Sequence, residues 1–232
     1  MRRVLVGGSV ALVACVLSLL PAGATVRTAG ARSDSAIVTA GLLTIGDFPP
    51  GWKESPSSSS SSSIDFSKYG KACARLQGDV NKVEKLRTAH GTSNDFQQDD
   101  AQEINNSVSV YRTAAGTSAA LALLKRPAVV PCLARAVAAA AKKAEPAGVT
   151  NSTTFARLSV PEVGDDSIGY EIALTASGQG QTATVYVDFQ LVRVGRAGLT
   201  FSFQGPDTSV LSSYQPLVQS VVQRVRTAEA GG

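Results

Sequence analysis

Three cysteines, one histidine and a few pairs of carboxylates are the residues of this chain that could bond, coordinate or move protons. Cys15 lies in an apolar run near the amino terminus. Cys73 and Cys132 each lie in a segment with helical spacing of apolar residues. On an exported chain that loses Cys15 the two form an even pair, and a disulfide is the default. Closing a loop of about sixty residues stabilises a fold by about 4 kcal/mol in the chain-entropy account. The other chemistry open to Cys132 is that of a reactive thiol near a helix start, which needs a free cysteine in an oxidising place.

His90 is the sole histidine, so a histidine-based metal cluster is excluded and any Ser/His pair must use it. It falls in a polar stretch, 88–94, that reads as a loop, and no Gly-x-Ser-x-Gly elbow precedes a helix. Asp95, Asp99, Asp100 and Glu103 lack the alternating ligands and central glycine of a calcium loop, and read as a solvated acidic turn. Asp165 with Asp166, and Glu171 with Asp188, are candidate carboxylate pairs for acid/base work across a sheet. Gly178 and Gly180 open a strand rather than a helix, which makes them a hairpin turn and not a dinucleotide loop. No cofactor or metal site is expected, and no catalytic residue is assigned.

The elements that must position these residues are legible from periodicity. Ala183, Val185, Val187, Phe189 and Leu191 alternate with polar residues, as do Ala197, Leu199, Phe201 and Phe203 after Gly195. They predict an antiparallel hairpin, with Val187, Phe189, Leu199 and Phe201 as one inward set. Tyr214, Leu217, Val218, Val221, Val222 and Val225 recur at three and four residues and predict the helix that covers that set. Upstream, the spacing predicts helices over 69–83, 117–126 and 131–144, and strands over 94–98, 104–112, 153–160 and 167–176. Phe48-Pro49-Pro50-Gly51-Trp52 reads as a type II turn with Trp52 at the core edge. The serine tract 55–63 carries too little apolar surface to order itself and reads as a mobile surface loop. Strands followed by helices, twice over, define an α+β class: an antiparallel sheet with helices packed on one or both sides.

Arg2 and Arg3 precede an apolar run from Val4 to Leu20, and Ala22-Gly23-Ala24 supplies the small residues that signal peptidase needs. The expected organisation is a signal peptide over 1–24 cleaved between Ala24 and Thr25, a flexible tether over 25–40, and one domain over 41–228. Leu12-Val13-Ala14-Cys15 is a second processing site of lipobox type, which would leave Cys15 lipidated. The chain meets a membrane only if it is lipidated there or keeps its signal. The formal charge of +4 includes Arg2 and Arg3, so the processed chain carries about +2. That charge, with few aromatics and no basic run among them, excludes a nucleic-acid binder.

The phrase from Leu42-Leu43-Thr44 to Pro49-Pro50-Gly51-Trp52, then Cys73, then Val108 to Tyr111 with an alanine-rich helix and Cys132, then the segment 185–205, resembles secreted actinobacterial sensor-domain proteins. It is similar to the extracytoplasmic sensor domain of PknH-type mycobacterial kinases and to small mycobacterial lipoproteins with a PsbP-like fold. The most specific part is Asp188 to Phe203, with its Arg193-Val194-Gly195-Arg196 turn. The resemblance implies a PsbP-like or PknH-sensor-like sandwich and an extracytoplasmic, non-catalytic protein of the cell envelope. Its ligand, a small molecule, a lipid or a cell-wall component, would lie in a cleft between sheet and helices. The alternative from another class is a carboxylate-dependent cell-envelope hydrolase. An apolar cleft with a few polar groups favours binding, whereas convergent ionisable groups favour the enzyme.

Overall fold

In the computed structural model, residues 31–57, 65–98, 102–143, 148–208 and 210–231 are described. Both processing sites at Cys15 and at Ala24-Thr25, most of the serine tract, and Asp99 with Asp100 lie outside them. Eight strands form one antiparallel sheet: β1 (Lys53–Ser55), β2 (Arg87–Thr92), β3 (Asp95–Gln98), β4 (Gln102–Tyr111), β5 (Val149–Leu158), β6 (Asp166–Gly178), β7 (Gln181–Val194) and β8 (Ala197–Gly205). Their order is β1-β3-β4-β8-β7-β6-β5, with β2 lying end to end with β3 along the same side of β4. Among the described residues six α-helices pack with it: α1 (Ala31–Gly41), α2 (Lys71–Glu84), α3 (Ala114–Leu124), α4 (Val129–Lys143), α5 (Val210–Ser213) and α6 (Gln215–Ala230). The class is α+β, as its strand and helix periodicities predict.

Helices cover both faces. Val218, Val221, Val222 and Val225 of α6 are fully buried against Val108, Leu199, Phe201 and Phe203, with Ile37 of α1 in the same cluster. On the other face Cys73 and Leu76 of α2, Leu121 of α3, and Cys132, Leu133 and Val137 of α4 pack on Ile168, Tyr170, Val187 and Phe189. Burying each of the α6 valines stabilises the fold by roughly 1.5–3 kcal/mol before conformational entropy is counted.

The hairpin expectation is corrected here. Val187 and Phe189 do not share a face with Leu199 and Phe201: the first pair packs under α2 and α4, the second under α6. The cause is the turn. Only Gly195 and Arg196 connect the strands, so Val194 pairs with Ala197, Phe189 with Ser202, and Gln190 with Phe201. Opposed residues share a face, and a register different by one residue would have put both phenylalanines together. Gly195 takes φ +50°, and a Cβ there would meet Glu229 Oε2 at 1.8 Å. Its N–H donates to Asp165 Oδ2 (2.7 Å) and the next, on Arg196, to Glu229 Oε1 (2.7 Å), so two carboxylates clamp the turn.

The tether expected over 25–40 is also corrected for its second half, since residues 31–41 form α1. Serine, threonine, valine and aspartate are weak helix formers, so tertiary contacts hold this helix. Ile37 is buried, Asp34 Oδ1 accepts from Arg196 Nη2 (2.8 Å), and Arg224 of α6 donates to the carbonyls of Ala40 (3.0 Å) and Leu42 (3.1 Å) at its end. Gly91 of β2 lets α1 lie close, because a Cβ there would meet Val38 Cγ1 at 2.5 Å. Trp52 is buried in the core rather than at its edge, stacked on Phe48 with Tyr214 edge-on. Among the described residues no helix is long and apolar enough to cross a membrane.

Candidate functional site

A cleft of about 100 Å³ opens between the sheet and the pair α2 and α3. Its roof is apolar: Val80 and Val83 of α2, and Ala120, Leu121 and Leu124 of α3. Its floor is small and hydroxyl-bearing where Ser107 and Ser109 of β4 stand opposite Thr200 and Gly198 of β8, and it continues into Leu191 and Arg193 of β7. This floor exists because Ser107 and Ser109 of β4 and Gly198 and Thr200 of β8 share one face, while Val108, Val110, Leu199 and Phe201, of opposite parity, lie in the core under α6. Small side chains below and two helices above leave the space unfilled.

One end of the cleft is ionisable. Glu84 ends α2 and Arg87 begins β2, three residues on, and Arg87 Nη2 lies 3.1 Å from Glu84 Oε2 with both side chains largely buried. Burial outweighs the attraction of Arg87 and pushes the Glu84 carboxyl up to about 7. Burial also lowers the Arg87 guanidinium, with Glu84 opposing. Tyr111, buried at the end of β4, is raised first by desolvation and then by the charge of Glu84.

His90 is in β2, not in a loop, and it lines the mouth of this cleft. The flanking sequence is polar because the strand is at the sheet margin, which is why periodicity passes over it. Its Nδ1 is 3.2 Å from Ser109 Oγ and its Nε2 is 3.5 Å from Thr92 Oγ1. Desolvation on the cleft side, then the Arg87 charge, push the imidazole down, to about 4. The residue as a whole is exposed, so solvent screens part of that effect, and the consequence that stands is a neutral ring at pH 7. A hydrolytic triad needs a carboxylate on the nitrogen that does not face the serine, and here that nitrogen faces the hydroxyl of Thr92.

The remaining sequence candidates are scattered. Cys73 and Cys132 are bonded and buried, linking α2 to α4. Asp95 is buried in β3 and accepts from Asn105 Nδ2 (3.0 Å), which is not the solvated turn expected of it. Among the described residues no group of three or more His, Cys, Asp or Glu could hold a metal ion. Asp165 serves the Gly195 turn, and Asp166 pairs with Lys125. Glu171 and Asp188 stand directly opposite each other on β6 and β7, on the face away from the cleft. Asp188 is buried with Oδ2 accepting from the Leu211 N–H (3.2 Å), and burial, then Glu171, push it up to about 6.

Sequence reasoning missed Glu84, Arg87 and Tyr111. The signal available was an acid and a base three residues apart across a helix end, which is common on solvated surfaces and says nothing of burial.

No family model matches the chain, and none of the curated proteins compared with it does. Among solved structures it is similar to the extracellular domain of PknH from Mycobacterium tuberculosis, at 10% identity and a TM-score of 0.39, over 90% of this chain and 100% of that one.

Proposed function

We propose that this chain is a non-catalytic binding protein of the cell envelope, exported and processed after Ala24, which holds a small ligand in the cleft between the sheet and α2 and α3. The observation that carries the reading is the cleft's division of labour: an apolar roof over a floor of small hydroxyl residues and glycine, with polar groups at its margin from Glu84, His90, Tyr111 and Arg193, and Arg87 paired to Glu84. Such a site suits a ligand with an apolar body and a single hydrogen-bonding head. A small lipid or a lipid-like envelope component has that form.

The test is mass spectrometry of small molecules that copurify with the protein from its host, for wild type and for Ala120→Phe, which fills the cleft from the roof. A bound amphiphile lost in the variant supports the reading. A ligand retained at equal stoichiometry by a folded Ala120→Phe protein places binding elsewhere. Intact mass of the exported protein tests processing, with Thr25 expected at the amino terminus rather than a diacylated Cys15.

The carboxylate hydrolase draws support from Glu171 and Asp188 standing opposite each other with a raised carboxyl. A general acid must reach its substrate, however, and Asp188 is buried under the start of α5. The binding reading is therefore the stronger.

A further inference from the structure

The two edges of the sheet are built differently. One is β1, three residues long with Lys53 and Glu54, together with β2, whose register shifts between Arg87 and Ala89. Short length, charge and a bulge are means by which sheets prevent edge-to-edge pairing. The other edge is β5. It runs ten residues, pairs with β6 from Val149↔Gly178 to Leu158↔Gly169 without a break, contains no proline, and has Arg157 as its one charged residue. Among the described residues β5 pairs with β6 alone, so its outward N–H and C=O groups form a template for a further strand.

We propose that β5 is a dimer interface, in which two copies of this chain pair antiparallel through β5 about a two-fold axis normal to the sheet. A second copy fits because the strand is self-complementary. Such an axis sets residues of the same face opposite each other. With the axis at Thr153, Ser152 opposes Thr154, Thr150 opposes Ala156, and Arg157 opposes Val149, so no like charges meet. The exposed face of β5 is Thr150, Ser152, Thr154 and Ala156, small and uncharged. Hydroxyl opposite hydroxyl is a pairing this sheet already makes, in Thr175 Oγ1 with Thr184 Oγ1 (2.9 Å) and Ser177 Oγ with Thr182 Oγ1 (3.0 Å). Pairing over nine residues would join the copies along about 30 Å.

The experiment is sedimentation equilibrium of the purified protein against the double variant Ser152→Lys/Thr154→Lys. Both positions are exposed, so the fold is expected to survive, and an unchanged melting temperature checks that. In the paired state each new lysine opposes the other across the axis. The expected result is a wild-type dimer whose dissociation constant rises at least about tenfold in the variant. A wild type that stays monomeric to about 100 μM, or a dimer that the lysines leave unchanged, overturns the proposal. So does wild-type association that proceeds beyond a dimer, because a two-fold edge pairing closes.

Discussion

Asn106 of β4 holds Leu43 from beneath: its Oδ1 accepts from the Leu43 N–H at 2.9 Å, while its Nδ2 donates to the Gly41 carbonyl at 2.6 Å. The side chain is 1% exposed, and the Asn106 N–H is met in turn by Ser93 Oγ at 2.9 Å. One buried amide thus satisfies both backbone groups where the chain leaves α1, and ties that segment to the sheet centre. Asn106→Leu, which is similar in size, removes both bonds and strands two buried backbone groups. The expected loss is about 3 kcal/mol in urea denaturation, with the m-value unchanged.

The Cys73–Cys132 bond spans 59 residues and joins α2 to α4 on the cleft's side of the sheet. Titration of the unfolded, unreduced protein should find no free thiol among these two. Replacing both by serine should lower stability by about 4 kcal/mol, as the unfolded chain regains the freedom the bond removes. Two reactive thiols would show the bond to be absent.

The Glu84 carboxyl sits above its unfolded value, raised from 4.5 to about 7 chiefly by burial. A folded state that holds its proton more tightly is favoured at low pH, and that contribution is lost as pH rises from the unfolded pKa through the folded one. Glu84→Gln keeps the neutral form at every pH. Whatever its offset at pH 5, the variant should gain on wild type by on the order of 3 kcal/mol by pH 8. His90 is shifted the other way, so its contribution is present above 6.5 and is lost as pH falls toward 4. The slope belongs to Glu84 only if the difference between the two proteins, rather than wild type alone, carries it. A difference that is flat with pH would show that Arg87 keeps Glu84 ionised.

Val221 of α6 is fully buried in the layer over Leu199 and Phe201. Val221→Asp places an unpaired charge there, and the expected outcome is an unfolded or unsecreted protein, read by circular dichroism and by yield. A folded variant with an unchanged melting temperature would make α6 peripheral.

What the sequence alone determined is what local periodicity encodes. The two-residue alternation of β7 and β8 and the three-and-four spacing of α6 reflect how side chains leave a strand or a helix, and no partner is needed to read them. The even pair Cys73 and Cys132 was legible for the same reason, from two apolar helix faces and a count. The tertiary structure decided the rest, because each remaining feature depends on a long-range choice. The two-residue turn at Gly195 set the register that sends Phe189 and Phe201 to opposite faces, and with it the need for helices on both sides. Residues 31–41 are helical because α6 and Arg196 hold them there, against weak propensity. The cleft arises where the hydroxyl parity of β4 meets that of β8, and the burial of Glu84 and Arg87 follows from how α2 and α3 lie across that floor. Burial is a property of packed surfaces, so an acid three residues from a base looks the same in sequence whether water or protein surrounds it.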